Sequence, residues 1–266
     1  MCVAQQIELN STTGRAVVSA HGAQVLEAEL SGRRLLWLSP LATFDDRSAV
    51  RGGIPLCFPW FGKHPDGLPA HGFARNRSWA LLQQRDDRCV FELRDDADTL
   101  ALWPHRFLAR LAITLSDMLQ IEFSVENIDS TPFTFTYALH SYFAVDQLDA
   151  VTVTGLDGRL RREVGHVTTP QAGVVTLHRP IDAIFEHAQG PLALHDGAAS
   201  VEITATQMES AVVWNPGEAG ATVGDIGPHW REFVCVERGN VGSAAVTLQP
   251  GERHVASMQL ARGAGR

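Results

Sequence analysis

The stretch LQIEFSVEN, residues 119–127, alternates apolar and polar side chains from Leu119 to Glu126. Its apolar members are Leu119, Ile121, Phe123 and Val125. Successive side chains of a β-strand point to opposite faces of the sheet. The alternation therefore predicts a strand with one buried face and one solvated face.

The segments on either side continue this period-two pattern. Upstream, RFLARLAITL (residues 106–115) alternates in the same way, and the short SDM segment between the two runs predicts a hairpin. Downstream, PFTFTYALHSYFAV (residues 132–145) predicts a further strand, with Phe133, Phe135, Tyr137 and Leu139 on one face. His140 falls on the opposite face of that run, together with two threonines.

Short runs of this kind recur along the chain and are separated by turn residues. The exception is DDADTLALWP (residues 95–104), which predicts one or two helical turns before Pro104. Many strands without alternating helices indicate an all-β, mostly antiparallel sandwich or barrel. Without an internal repeat or a linker, residues 1–266 are expected to form a single domain.

Composition limits the possible partners and the compartment. The formal net charge of −8 argues against general nucleic-acid binding. The four cysteines lack metal-ligand spacing, and so do the histidines, so no metal site is expected. The cysteines indicate reduced thiols in a cytoplasmic protein. The absence of a signal-peptide pattern and of a long apolar run predicts no contact with a membrane.

A long segment rich in glycine and proline carries most of the local positive charge. It is RGGIPLCFPWFGKHPDGLPAHGFAR, residues 51–75, and it includes Arg51, His71 and Arg75. Long irregular segments in compact domains are usually functional, and the planar fork of arginine suits phosphate or carboxylate. The alternative is a well-packed surface loop with solvated charges.

Three further residues are candidates for chemistry, and each has a structural alternative. His140 could be a satisfied histidine on its strand. Glu237 ends the apolar run FVCVE, where it is either paired with Arg231 or Arg238, or buried with a raised pKa. Asp182, in RPIDAIF, could cap a loop turn through its own backbone.

Taken together, these motifs resemble the glucose-6-phosphate 1-epimerases of the aldose 1-epimerase superfamily. The resemblance rests on RGGIPLCFPWFG…LPAHGFARNRSW, ALWPHRF, YALHSYF, VVWNPG, FVCVERGNV and LQPGE. It implies a galactose-mutarotase-like β-supersandwich that acts as an isomerase on a small-molecule hexose phosphate without a cofactor. A monomer is expected, because a pyranose site of this kind is self-contained.

The resemblance also implies roles for individual residues. His140 and Glu237 match the catalytic histidine and glutamate, and Arg51 and Arg75 match arginines that contact the substrate. His71 and Asp182 match residues that contact the sugar. The segment after Asp182 departs from the family pattern, because Ala183 and Phe185 stand where an arginine and a tyrosine are usual. Ala70 also replaces a side chain that is polar in some members.

The implied reaction opens the pyranose ring at C1–O5 and closes it on the other face. It needs a base for the C1 hydroxyl and an acid for O5, which suit a carboxylate and a histidine. We expect the two groups to lie several ångströms apart, with a pyranose between them. Two alternatives stay open: a noncatalytic carbohydrate-binding β-sandwich, and an aldose 1-epimerase for unphosphorylated sugars.

Overall fold

The computed structural model describes residues 5–45, 48–163, 166–197 and 199–263. Antiparallel sheets dominate these residues, which confirms the all-β prediction. In chain order the strands are β1 (Gln6–Asn10), β2 (Gly14–Ser19), β3 (Gln24–Leu30), β4 (Arg33–Arg34), β5 (Leu56–Cys57), β6 (Ala80–Gln84), β7 (Arg88–Arg94), β8 (Phe107–Leu115), β9 (Leu119–Asn127), β10 (Phe133–Phe135), β11 (Tyr137–Leu139), β12 (Tyr142–Ala144), β13 (Thr152–Thr154), β14 (Leu160–Glu163), β15 (Thr169–Pro170), β16 (Val175–Thr176), β17 (Ile181–Phe185), β18 (Leu192–Asp196), β19 (Ala199–Thr206), β20 (Ser210–Asn215), β21 (Phe233–Asn240), β22 (Val246–Leu248) and β23 (Arg253–Arg262).

Helical structure within these ranges is short. The α-helix α1 (Ala97–Leu102) lies in the segment predicted to be helical, and Asp96 caps it by accepting a hydrogen bond from the Thr99 backbone N–H. The 3₁₀ turns are Ala74–Asn76, Leu148–Ala150, Gly217–Thr222, Gly227–Glu232 and Gly242–Ala244. No described helix has both the length and the apolar character to cross a membrane.

The predicted hairpin lies inside the larger sheet, between β23 and β7. Strands β8 and β9 pair in continuous register from Phe107 opposite Asn127 to Leu115 opposite Leu119. The sheet has the order β16-β13-β18-β19-β23-β9-β8-β7-β6. The four predicted apolar residues of β9 are each 1% exposed or less, which confirms the buried face.

The alternating run at residues 132–145 is divided between two sheets. β10 pairs with β22, whereas β11 pairs with β21 and β5. The break falls at Thr136, whose backbone N–H donates to the Pro59 carbonyl and whose hydroxyl accepts from the Phe61 N–H. The alternation of buried side chains continues across this break, so the pattern alone did not reveal it.

A second sheet carries the residues matched to the catalytic positions. Its order is β15-β14-β17-β20-β21-β11-β5, with β12 also paired to β21. All eight residues of β21 are buried. β11 and β12 meet β21 in one register, since Leu139 lies opposite Arg238 and Tyr142 lies opposite Cys235. His140 and Glu237 are therefore cross-strand neighbours.

The main core lies between the two large sheets. Phe58 is its most connected aromatic side chain, with edge-on contacts 5.5–6.4 Å between ring centroids. Its partners are Phe73, Trp103, Phe107, Phe123 and Phe135. Edge-to-face packing of this kind adds to the free energy of area burial. These contacts also hold the glycine- and proline-rich segment, which contains Phe58 and Phe73, against the larger sheet.

Candidate active site

The site is centred on a contact between a histidine and a carboxyl group. His140 Nε2 lies 3.3 Å from Glu237 Oε1, and the two side chains are 8% and 1% exposed. The alternative partners for Glu237 are wrong: Arg231 pairs with Asp149 at the surface, and Arg238 is buried and donates to the Met208 carbonyl. The expected separation with a pyranose between the two groups is also wrong, because cross-strand register brings them into contact.

Burial acts in opposite directions on the two groups. It raises the pKa of Glu237 well above its usual value, and the nearby Asp182 carboxylate adds to this rise. Burial also lowers the pKa of His140 well below its usual value, with further lowering by His71, Arg75 and Arg51. Both neutral forms are therefore favoured, which places a protonated carboxyl group beside a neutral imidazole.

This neutral arrangement and an ion pair contain the same number of protons. They differ only in the position of one proton along the 3.3 Å contact. In either arrangement one group can donate a proton while the other can accept one. The pair therefore supplies both an acid and a base near neutral pH.

Tyr142 connects the pair to Arg51. Its ring stacks on His140 with centroids 4.8 Å apart, and its hydroxyl accepts a hydrogen bond of 2.8 Å from Arg51 Nη1. Arg51 Nε donates to the Asp225 carboxylate at 3.0 Å. The guanidinium is thus held on two sides, and the Asp225 charge offsets part of its own.

His71 and Arg75 approach the pair from the glycine- and proline-rich segment. The His71 ring meets the His140 ring edge-on at 5.6 Å, and the Arg75 guanidinium Nη2 donates to the Ala70 carbonyl. Arg75 Nε is buried and makes no hydrogen bond among the described residues. Burial, followed by the charges of Arg75 and Arg51, lowers the pKa of His71 to about 3, so this ring is neutral.

Asp182 and Trp214 form the open edge of the site. Asp182 lies within β17, directly opposite Trp214 of β20, so the alternative of a turn-capping loop aspartate is wrong. The two also line a neighbouring cavity of about 250 Å³, which His140 and Glu237 do not line. Trp214 meets His140 edge-on at 6.0 Å. The pKa of Asp182 is raised by partial desolvation and by Glu163.

The structure brings all six residues selected from the sequence into one neighbourhood: Arg51, His71, Arg75, His140, Asp182 and Glu237. Sequence reasoning missed the contributions of Cys57, Tyr142, Trp214 and Asp225. Tyr142 carried a usable signal, because it follows His140 by two positions on an extended run. Asp225 carried none. Within the described ranges, no three His, Cys, Asp or Glu side chains are grouped to hold a metal ion.

Solved structures with the same fold identify the class of protein. The crystal structure of a putative mutarotase from Salmonella typhimurium superposes with a TM-score of 0.88 at 29% identity, over 98% of this chain and 90% of that one. A galactose mutarotase related enzyme from Lactobacillus acidophilus has a TM-score of 0.80 at 16% identity, over 98% of each chain, and supports the fold alone. The galactose-mutarotase-like fold is thereby confirmed, and the likeness to the Salmonella protein places the chain in the mutarotase class of isomerases.

Sequence comparison gives the family. The model of the aldose 1-epimerase family matches residues 5–261. A protein from Escherichia coli K12 with the name "Putative glucose-6-phosphate 1-epimerase" is 32% identical over 93% of this chain and 87% of its own. A protein of the same name from Cenchrus ciliaris is 32% identical, over 89% of this chain and 78% of its own. The chain belongs to the aldose 1-epimerase family.

Proposed function

We propose that this isomerase interconverts the α and β anomers of a hexose 6-phosphate, with glucose 6-phosphate as the preferred substrate. The observation that carries the proposal is the largely buried 3.3 Å contact between His140 and Glu237, beside two arginines whose charges lower the pKa of His140. The names of the relatives support the choice of a phosphorylated hexose. The single domain, the monomeric state, the absence of nucleic-acid partners and the cytoplasmic location stay predictions.

The adjacent pair acts on both oxygens of the anomeric carbon from one side. O1 and O5 are both bonded to C1, so two groups in contact with each other can reach them together. The base takes the proton of the C1 hydroxyl, the acid protonates O5, and the C1–O5 bond breaks to give the open-chain aldehyde. Rotation about C1–C2 presents the other face of the carbonyl. The same proton transfers in reverse then close the ring.

The remaining residues bind the substrate in this proposal. Arg51 and Arg75 interact with the phosphate, since guanidinium groups bind its oxygens through paired N–H donors. Asp182 and His71 contact sugar hydroxyls, and Trp214 offers an apolar wall to the ring. Ala183 and Phe185, which stand where an arginine and a tyrosine are usual, are buried in the core on the opposite face of β17 from Asp182 and do not line this edge.

One observation favours a second candidate, an aldose 1-epimerase for unphosphorylated sugars. Arg51 is already paired with Asp225 at 3.0 Å, so part of its charge is unavailable to a phosphate. The noncatalytic carbohydrate-binding alternative finds no such support, because the family is one of isomerases.

The test is anomer exchange measured by NMR on glucose, galactose and mannose, each with and without the 6-phosphate. We expect the enzyme to accelerate exchange of the phosphorylated sugars, and glucose 6-phosphate most. Faster exchange of the free sugars than of their phosphates would favour the second candidate. No acceleration with any of the six would contradict both.

A further inference from the structure

The imidazole of His71 receives two protein contacts at one nitrogen. Its Nδ1 lies 3.3 Å from the Cys57 sulfur and 3.4 Å from the Gly62 backbone nitrogen. A backbone N–H can only donate, so the Gly62 contact favours a lone pair on Nδ1, but at 3.4 Å it is too long to fix the tautomer by itself. The tautomer with the ring proton on Nε2 is the one that this contact favours.

The Cys57 thiol is placed to act as the second donor. Cys57 is fully buried on β5, opposite Ala138 of β11, two residues before His140. Burial raises the pKa of this thiol, so it keeps its proton at neutral pH. A protonated thiol beside an imidazole lone pair donates its S–H to that lone pair.

The position of the His71 ring is fixed by its surroundings. The backbone of His71 is in the left-handed region at φ 65°, which costs free energy for a residue with a side chain. Its N–H donates to the Gly62 carbonyl at 2.8 Å, and the Phe61 ring packs edge-on against the imidazole at 4.9 Å. At the next residue, Gly72, an added Cβ would lie 2.1 Å from the Phe58 carbonyl oxygen, so the turn requires glycine there.

The other ring nitrogen is left for a ligand. Among the described residues, no group is hydrogen-bonded to Nε2 of His71, and this atom is not sealed from solvent. The ring lies 5.6 Å from that of His140. A donor on Nε2 would be close enough to contact a sugar bound over the His140–Glu237 pair.

We propose that Cys57 is a positioning residue, whose thiol hydrogen bond to Nδ1 of His71 keeps the proton on Nε2 and so makes His71 a donor to the sugar. The donation from His71 to the sugar rests on the proposed function. The hydrogen bond from Cys57 and the tautomer of His71 rest on the structure of the free protein. Loss of the thiol leaves only the longer Gly62 contact to select the tautomer. If the ring proton of His71 lay on Nδ1, Nε2 would present a hydrogen-bond acceptor to the sugar instead of a donor.

The direct test is long-range ¹H–¹⁵N NMR on protein with ¹⁵N-labelled histidine, with His71 assigned by comparison with His71→Gln. We expect the proton on Nε2 in the wild type and in Cys57→Ser, which keeps a donor. We expect a mixture of tautomers in Cys57→Ala. Cys89→Ala is the matched control, because Cys89 is equally buried but lies on β7 of the other sheet; its His71 signal should be unchanged.

Kinetics provides the second readout. Cys57→Ala should raise KM for the sugar phosphate about 3–10-fold, the effect of one hydrogen bond, with a smaller change in kcat, and Cys57→Ser should restore most of it. A wild-type His71 with its proton on Nδ1 would overturn the proposal even if Cys57→Ala fails to fold. An unchanged tautomer in Cys57→Ala, or a changed tautomer with unchanged KM, would also overturn it. A wild type that exchanges no anomers would instead refute the proposed function, and the tautomer would still report on Cys57.

Discussion

His140 and Glu237 face each other across two antiparallel strands, with Nε2 of the histidine 3.3 Å from Oε1 of the carboxyl group. The position follows from the register of β11 and β12 on β21, which sets residue 140 opposite residue 237. Burial favours the neutral form of each member of this pair. The chemistry of the pair is therefore best probed by changes that remove one member and keep its shape.

Replacement of Glu237 by glutamine should change how stability depends on pH. The folded-state pKa of Glu237 is raised above the usual value of 4.5, so the folded wild type keeps a proton that the unfolded chain loses. The wild type therefore loses stability as pH rises from about 4.5 toward the folded pKa, by at most about 1.4 kcal/mol per pH unit. Glu237→Gln has no such loss, so its free energy of unfolding should gain on the wild type as pH rises.

Chemical denaturation between about pH 5 and pH 8 measures this difference. The lowered pKa of His140 affects both proteins and cancels in the comparison to first order. Glu8→Gln is a suitable control, because Arg15 lowers the pKa of that exposed carboxyl group and the trend cannot have the same sign. Parallel curves for Glu237→Gln and the wild type would show that Glu237 is ionised in the folded protein.

Alanine at Arg51 or Arg75 should impair the use of sugar phosphates more than that of free sugars. The loss of a charge-assisted contact with phosphate is expected to lower kcat/KM for glucose 6-phosphate about 10–100-fold, and that for glucose far less. Arg77→Ala is the matched control, because Arg77 follows Arg75 by two residues but pairs with Asp98. Equal losses of kcat/KM on both sugars would show that the arginines do not bind the phosphate.

Alanine at Phe58 should destabilise the whole chain. This ring is fully buried and contacts five other aromatic rings, so its removal leaves a cavity that costs about 3–5 kcal/mol of unfolding free energy. Phe44→Ala provides the comparison, since Phe44 is 40% exposed. Thermal and chemical unfolding would measure both. A loss at Phe58 no larger than that at Phe44 would contradict this account of the core.

The strands, the hairpin and the short helix could be predicted from the sequence, because alternation and capping are local signals. The division of the run from Phe133 to His140 between two sheets could not, since Thr136 meets its partners only in the folded chain. The site residues were found by motif, but the contact between His140 and Glu237 depends on register, which no local pattern contains. The hydrogen bond between Arg51 and Asp225 joins residues far apart in the sequence, and the contact between Cys57 and His71 depends on how the loop between them folds.

Anomer exchange of glucose 6-phosphate in the presence of His140→Asn tests the central claim most directly. Asparagine keeps a polar side chain beside Glu237, so the variant should fold. It cannot exchange a proton near neutral pH, so it should lose activity. NMR exchange spectroscopy on the α and β anomers should then show rapid exchange with the wild type and a rate about 10²–10⁴-fold lower with the variant. Wild-type exchange by a folded His140→Asn protein would contradict the assignment of the acid–base pair.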